Sequence, residues 1–274
     1  MRNAASRAIR ALPTLLRIGV ADTVAYRAEF LVWTLTATMP LIMMGLWTSV
    51  AGEGDFRGYS PHDFVAYFLV VLIVRNLTGN WAAWQMGEEI RQGTMSMRLL
   101  RPIHPFVAIG ANHAAALPFR SAVVLPVAVI LLASSGAHSL TTSPVALALF
   151  PLSIVLAWLL TFSVQFILGT LAFWLTQAMA IATLYLGLYH LFSGYLLPLD
   201  LMPGWIRTVA DVLPFRYMLS VPVYLLVPPA GHPPYTTSEM LALVGGQAAW
   251  VAALIVVALL LWRRGVRRFE AVGA

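Results

Sequence analysis

The chain has 274 residues, 60% hydrophobic and 10% charged, with a formal net charge of +6. A soluble domain carries about 25% charged residues, so most of this surface does not face water, and a mean hydropathy of +0.81 reads as one polytopic all-α membrane domain over residues 1–274. All 17 basic residues are Arg and there is no Cys, which excludes a Lys-dependent P-loop ATPase, thiol catalysis, disulfides and Cys-ligated zinc.

Residues 1–28 come first. Arg2, Arg7, Arg10, Arg17 and Arg27 alternate with Ile9, Leu12, Leu15, Leu16 and Ile18. The pattern predicts an interfacial amphipathic helix, apolar face down, with its charges on lipid phosphates and Pro13 interrupting it. A membrane helix needs about 20 apolar residues, and six stretches meet that length, at about 29–50, 62–85, 106–134, 144–168, 176–197 and 238–262. The fourth and fifth run together without charge, and the break falls near Gly169–Gln177. Residues 198–229 are too apolar for a plain loop and too rich in Pro and charge for a lipid-exposed span. A re-entrant hairpin, shielded by protein, suits that composition best, with an ordinary surface loop of hairpin helices as the alternative.

Arg asymmetry gives the orientation. Twelve Arg lie in 1–28, in the 86–105 loop and after the sixth span, against Arg57, Arg207 and Arg216 on the other side. Both termini and the 86–105 loop are therefore expected in the cytoplasm.

That loop is the one internal segment rich in charge and long enough for a helix. Glu88, Glu89 and Arg91 can pair with charges on a partner, with Ile90 as an apolar anchor; the alternative is a solvated loop whose Arg residues only set topology. The contact helix is expected at Gly87–Gln92, ended by Gly93 at the position after the cap, while Pro102 and Pro105 block a smooth entry into the third span. Inside the apolar stretches, Arg75 and Arg120 stand out, because an Arg at a helix centre costs about 2.5–3.5 kcal/mol on insertion scales. They either line a polar path or bond between helices, with Asn76 and Asn112 among the available partners. Tyr185, Tyr189 and Phe192 share a face of the fifth span, as part of a substrate path or as helix packing. His62-Asp63 reads as a helix-start feature. No HExxH or GxSG pattern is present, and no carboxylate pair lies inside a span, which weakens a proton-coupled carrier.

Two segments carry a family resemblance. One is Glu89-Ile90-Arg91-Gln92-Gly93 followed by Leu99-Leu100-Arg101-Pro102. The other is Phe192-Ser193-Gly194-Tyr195-Leu196-Leu197-Pro198-Leu199, then Met202-Pro203-Gly204-Trp205, then Leu213-Pro214-Phe215. Their order around six spans resembles the permease subunit of the ABC-2 family of ABC transporters, in the small six-span branch of bacterial export systems. The resemblance implies a non-catalytic subunit of the inner membrane that moves an amphipathic or hydrophobic substrate. A second permease, identical or paralogous, would pair with it, and two separate ATPase subunits would bind ATP and Mg. Residues 1–28 would be the elbow helix. The coupling helix would use Glu88, Glu89, Ile90, Arg91, Gln92 and Gly93. The outer hairpin, with Pro198, Pro203, Pro214 and Phe215, would form part of a gate over the exit path. No nucleic-acid partner is implied. The alternatives are a secondary transporter without ATP coupling and a membrane anchoring or assembly protein.

Overall fold

A computed structural model describes residues 11, 13–21, 39–52, 54–175, 178–231 and 235–269. Every named element among them is helical. We number them α1 (13–21), α2 (Met39–Ala51), α3 (Pro61–Thr78), α4 (Ala82–Arg91), α5 (Met95–Leu99), α6 (Pro105–Ala115), α7 (Leu117–Leu131), α8 (Pro144–Thr170), α9 (Ala178–Phe192), α10 (Gly204–Val212), α11 (Phe215–Met218), α12 (Ser220–Leu226) and α13 (Thr237–Val266).

The main helices start where sequence chemistry favours a start. Ser60 caps α3 through Asp63 N at 3.3 Å, and the Asp63 carboxylate accepts from Ser60 N at 2.9 Å, with Pro61 in the first turn. This reciprocal capping box satisfies two otherwise orphaned amides. Asp63 is thus the helix-start residue its position indicates, and it also accepts from Ser139 Oγ at 2.5 Å. Thr236 and Glu239 repeat the box at α13, while Ser143 caps α8 ahead of Pro144.

Three helical stretches are long and apolar enough to cross a membrane: Pro61–Arg91, Pro144–Phe173 and Thr237–Val266. A fourth candidate is the bent pair 105–119 and 124–135, whose halves meet at 54°. Pro118 and Pro126 stand on either side of that bend, where missing amides and ring clashes weaken a straight helix. The second predicted span is also interrupted, since α3 stops at an extended Gly79 and α4 begins after Trp81. Helix α2 is short within the described residues, and 29–38 and 176–177 lie outside them. Between α8 and α9 the chain passes through a 3₁₀ turn at Leu171–Phe173, inside the break expected from sequence.

Helix α3 is the hub. From Phe64 to Val74 nearly every residue is buried, against α2, α7, α8 and α12. In a bilayer, helices associate through close packing and interhelical hydrogen bonds rather than by escaping water. Close approach is clearest where α8 crosses α4: a Cβ on Gly169 would lie 2.7 Å from Met86 Cβ. The polar counterpart is the buried Gln247 of α13. Its Nε2 donates to Ser153 O on α8 at 3.0 Å and to Tyr217 O of α11 at 2.8 Å, tying two long helices to the hairpin. Helix α1 packs through Leu15 on Ala108 and Ala111 of α6, leaving Arg17 and Ile18 exposed. Arg2, Arg7, Arg10 and Arg27 lie outside the described residues.

Candidate functional site

Three arrangements concern function: the charged loop, a cation–aromatic cluster at mid-helix, and the hairpin after α9.

In the loop, the helix runs Ala82–Arg91 and so starts a turn and a half earlier than the charge pattern marks. Gly93, at φ 75°, ends it. Glu88 is bonded within the loop, accepting from Arg91 and, at 2.6 Å, from Gln92 Nε2. Glu89 is held more firmly. Arg98 grips its two oxygens at 2.7 and 2.5 Å, a bidentate, charge-assisted pair at 15% and 20% side-chain exposure. Gln85 Nε2 donates to Glu89 at 2.9 Å, and His113 of α6 reaches Gln85 Oε1 at 3.1 Å. Glu89 is therefore committed to the fold of the loop, whereas Glu88 and Arg91 pair with each other at the surface. Ile90 is only 8% exposed, packed with Met86, Met95, Phe162 and Trp262. Apolar surface appears instead on and after α5, where Met97 is 65% and Leu100 80% exposed, beside exposed Arg91 and Arg101. These two residues were missed from sequence because α5 is only five residues long, too short for a periodicity that would tell exposed Met97 from buried Met95.

His104 then caps α6, its Nδ1 accepting from Phe106 N at 3.1 Å. Partial burial, followed by the nearby Arg263 guanidinium, holds its imidazole below the usual range. Its ring meets Trp262 at 6.0 Å between centroids.

The mid-helix cluster joins residues from distant parts of the chain. The Arg75 guanidinium lies 5.7 Å from the Tyr189 ring centroid and beside the Tyr195 hydroxyl. Tyr185 and Tyr189 approach at 6.1 Å, and His190 stacks on Tyr195 at 4.6 Å and 25°. Phe215 of α11 covers the same face of α9, 6.0 Å from Tyr185 and 6.3 Å from Phe192. Arg75, Tyr185, Tyr189, Phe192 and Phe215 thus form one assembly across α3, α9 and the hairpin. Tyr195 and His190 complete it; their signal was proximity to the aromatic face, which does not reveal that the chain folds back after Phe192. Asn76 Oδ1 makes no hydrogen bond and is not the partner of Arg75. The side chain of Arg120 lies outside the described residues.

After α9 the backbone leaves helical geometry, and side chains from other elements satisfy it. Tyr67 OH donates to Gly194 O at 2.6 Å, Ser220 Oγ to Ser193 O at 2.5 Å, and Trp47 Nε1 to Leu196 O at 2.9 Å. Arg57 donates to Leu201 O at 3.3 Å, while Leu199 N donates to Tyr224 OH, which in turn donates to Asp200 at 2.6 Å. Non-helical backbone near a membrane needs such internal partners. Pro198 is buried ahead of a short 3₁₀ turn, and Pro203 and Pro214 stand immediately before α10 and α11. A cavity of about 400 Å³ opens beside this region, lined by Asp200, Arg207, Asp211, Arg216, Tyr224 and Glu239 among others.

A comparison with curated proteins finds no match. The family profile described as "ABC-2 family transporter protein" matches residues 33–273, nearly the whole chain and every element from α2 to α13. With apolar helices of spanning length, this makes the chain a multi-pass membrane permease of the ABC type, from a family whose members are generally non-catalytic and associate with an ABC ATPase. The chain belongs to the ABC-2 family of transporter proteins.

Proposed function

We propose that this chain is the membrane-spanning subunit of an ATP-driven exporter in the bacterial inner membrane, moving an amphipathic or hydrophobic substrate. A separate ATPase, present in two copies, binds ATP and Mg, and a second permease, identical or paralogous, completes the path. The six-span layout with both termini in the cytoplasm rests on the six apolar stretches and on twelve Arg against three. The packing of α1 on α6, with Arg17 left outside, supports an interfacial elbow. The enclosure of α12 and the side-chain bonds to residues 193–201 support a re-entrant hairpin acting as an outer gate.

The observation that carries the coupling role is the exposed pair Met97 and Leu100, flanked by Arg91 and Arg101, on a helix pinned to α4 by Arg98–Glu89. Protein interfaces are enriched in Met and Arg relative to the rest of the surface, and this cluster offers both around the apolar Leu100. A push on α5 passes through the ion pair to α4, then across three residues to the buried α3. Met97→Asp and Leu100→Asp test the reading, since both positions are exposed and substitution leaves the permease core alone. Tagged permease should retain its level in native membranes while recovery of co-purified ATPase falls by about fivefold or more, as loss of an interface contact worth over about 1 kcal/mol predicts. Unchanged recovery together with unchanged transport would refute a docking role for this surface.

A further inference from the structure

Arg75 stands 14 residues after Pro61, about 20 Å along α3 at 1.5 Å per residue, and 10 before the end of the apolar stretch 62–85. It is well inside that stretch, where a charge is costly. Ion pairs among the described residues join Arg91 to Glu88, Arg98 to Glu89 and Arg216 to Asp211; none includes Arg75. The sequence offers no remedy. Its eleven carboxylates, at positions 22, 29, 53, 55, 63, 88, 89, 200, 211, 239 and 270, all lie away from the middle of any apolar stretch. An identical second copy would therefore bring no counter-charge to this depth either. Around the guanidinium, the Tyr189 face, the Tyr195 hydroxyl and the His190 ring supply aromatic walls and hydrogen-bonding groups. Arg75 itself is half-buried, unlike the enclosed Val74 and Asn76 on either side.

We propose that Arg75, with Tyr189, Tyr195 and His190, binds the anionic head of an amphipathic molecule, a carboxylate or a phosphate. This deepens the reading of the chain as a permease and rests on it. A planar guanidinium matches such heads with two parallel hydrogen bonds, and the pair is strong where water is scarce. Aromatic faces accept the adjoining apolar body. A cationic amphiphile is disfavoured at the same place by direct repulsion. Two sources share this chemistry, a carried amphiphile and a resident anionic lipid.

The test uses full-length permease with its co-purified ATPase in phosphatidylcholine nanodiscs. Dansyl-undecanoic acid, its methyl ester and the corresponding amine serve as probes, corrected for partition into empty nanodiscs. The acid should bind about tenfold more tightly than the ester or the amine, Arg75→Gln should bring the three within about twofold, and Arg75→Lys should keep part of the preference. Equal affinity for acid and ester in the wild-type complex overturns the proposal, as does a preference that survives Arg75→Gln. Should Arg75→Gln fail to reach the membrane, the ester and amine must still fail to displace the acid from wild type; displacement overturns it. Adding phosphatidylglycerol separates the sources: weaker acid binding marks a lipid site, and unchanged binding a free amphiphile, either in keeping with an anion site. ATPase co-purification is read on the same samples, so absence of the anion preference from a wild-type complex that still holds its ATPase refutes this inference alone.

Discussion

Gly194 shows how much one residue can carry at the turn where α9 ends. Its φ of 83° is left-handed, and a Cβ there would sit 2.5 Å from Ser220 Oγ and 2.7 Å from Tyr67 OH. Those two hydroxyls donate to Gly194 O and Ser193 O, so a side chain would displace the groups that satisfy the turn. The backbone alone costs roughly 1–2 kcal/mol for a non-Gly residue, and each buried carbonyl left without its donor adds about 1–3 kcal/mol. Gly194→Ala should therefore lower the thermal midpoint of the solubilised protein more than Tyr67→Phe, which removes one donor and leaves the backbone unstrained. Equal melting of the two variants would show that the strained backbone contributes nothing. The Ser193-Gly194 pair was visible in the sequence as a motif. Its physical reason was not, because Tyr67 and Ser220 are 127 and 27 residues from their acceptors.

At the level of elements, what was legible depended on local chemistry. The start of α3 announced itself through His62-Asp63, and the stop at Gly93 through its glycine, since caps act within four residues. The breaks at Gly79–Trp81 and within the 106–134 stretch were hidden, because hydropathy sums apolar character and does not register a kink. The role of Ile90 depended on whether its neighbours turned towards it, and Met86 and Met95 do. Helix α6 offers a pH test of such local chemistry. Its cap needs His104 Nδ1 as an acceptor, which a protonated ring cannot be. Because burial and Arg263 lower the folded-state pKa, the unfolded chain binds the proton first. The contribution of His104 is then complete above the ordinary imidazole value of about 6.5 and is lost as pH falls below it towards the folded value. Melting curves across that range should show wild type losing stability on acidification more steeply than His104→Asn, whose amide caps without titrating. Parallel curves would assign the acid sensitivity to other groups.

For the whole molecule, topology links the charge pattern to the mechanism. In the topology proposed from the Arg count, the loop around α5 and the hairpin around α10 lie on opposite sides of the bilayer. The fold independently separates them: α13 begins beside the hairpin cavity at Thr236 and ends beside His104 at Trp262. Lateral assembly was not legible, since the sequence of one chain does not state which apolar face meets lipid and which meets another permease. The side of each loop is open to measurement, because a chain without Cys reports a single introduced thiol cleanly. Leu100 and Thr208 are both exposed and outside the buried networks. A membrane-impermeant maleimide should label Thr208→Cys in right-side-out vesicles and Leu100→Cys only in inverted ones. Labelling of both from the same side would detach the Met97–Leu100 surface from the compartment that holds ATP. The ion pair of Arg98 with Glu89 would then serve to close a loop rather than to transmit the movement of an ATPase.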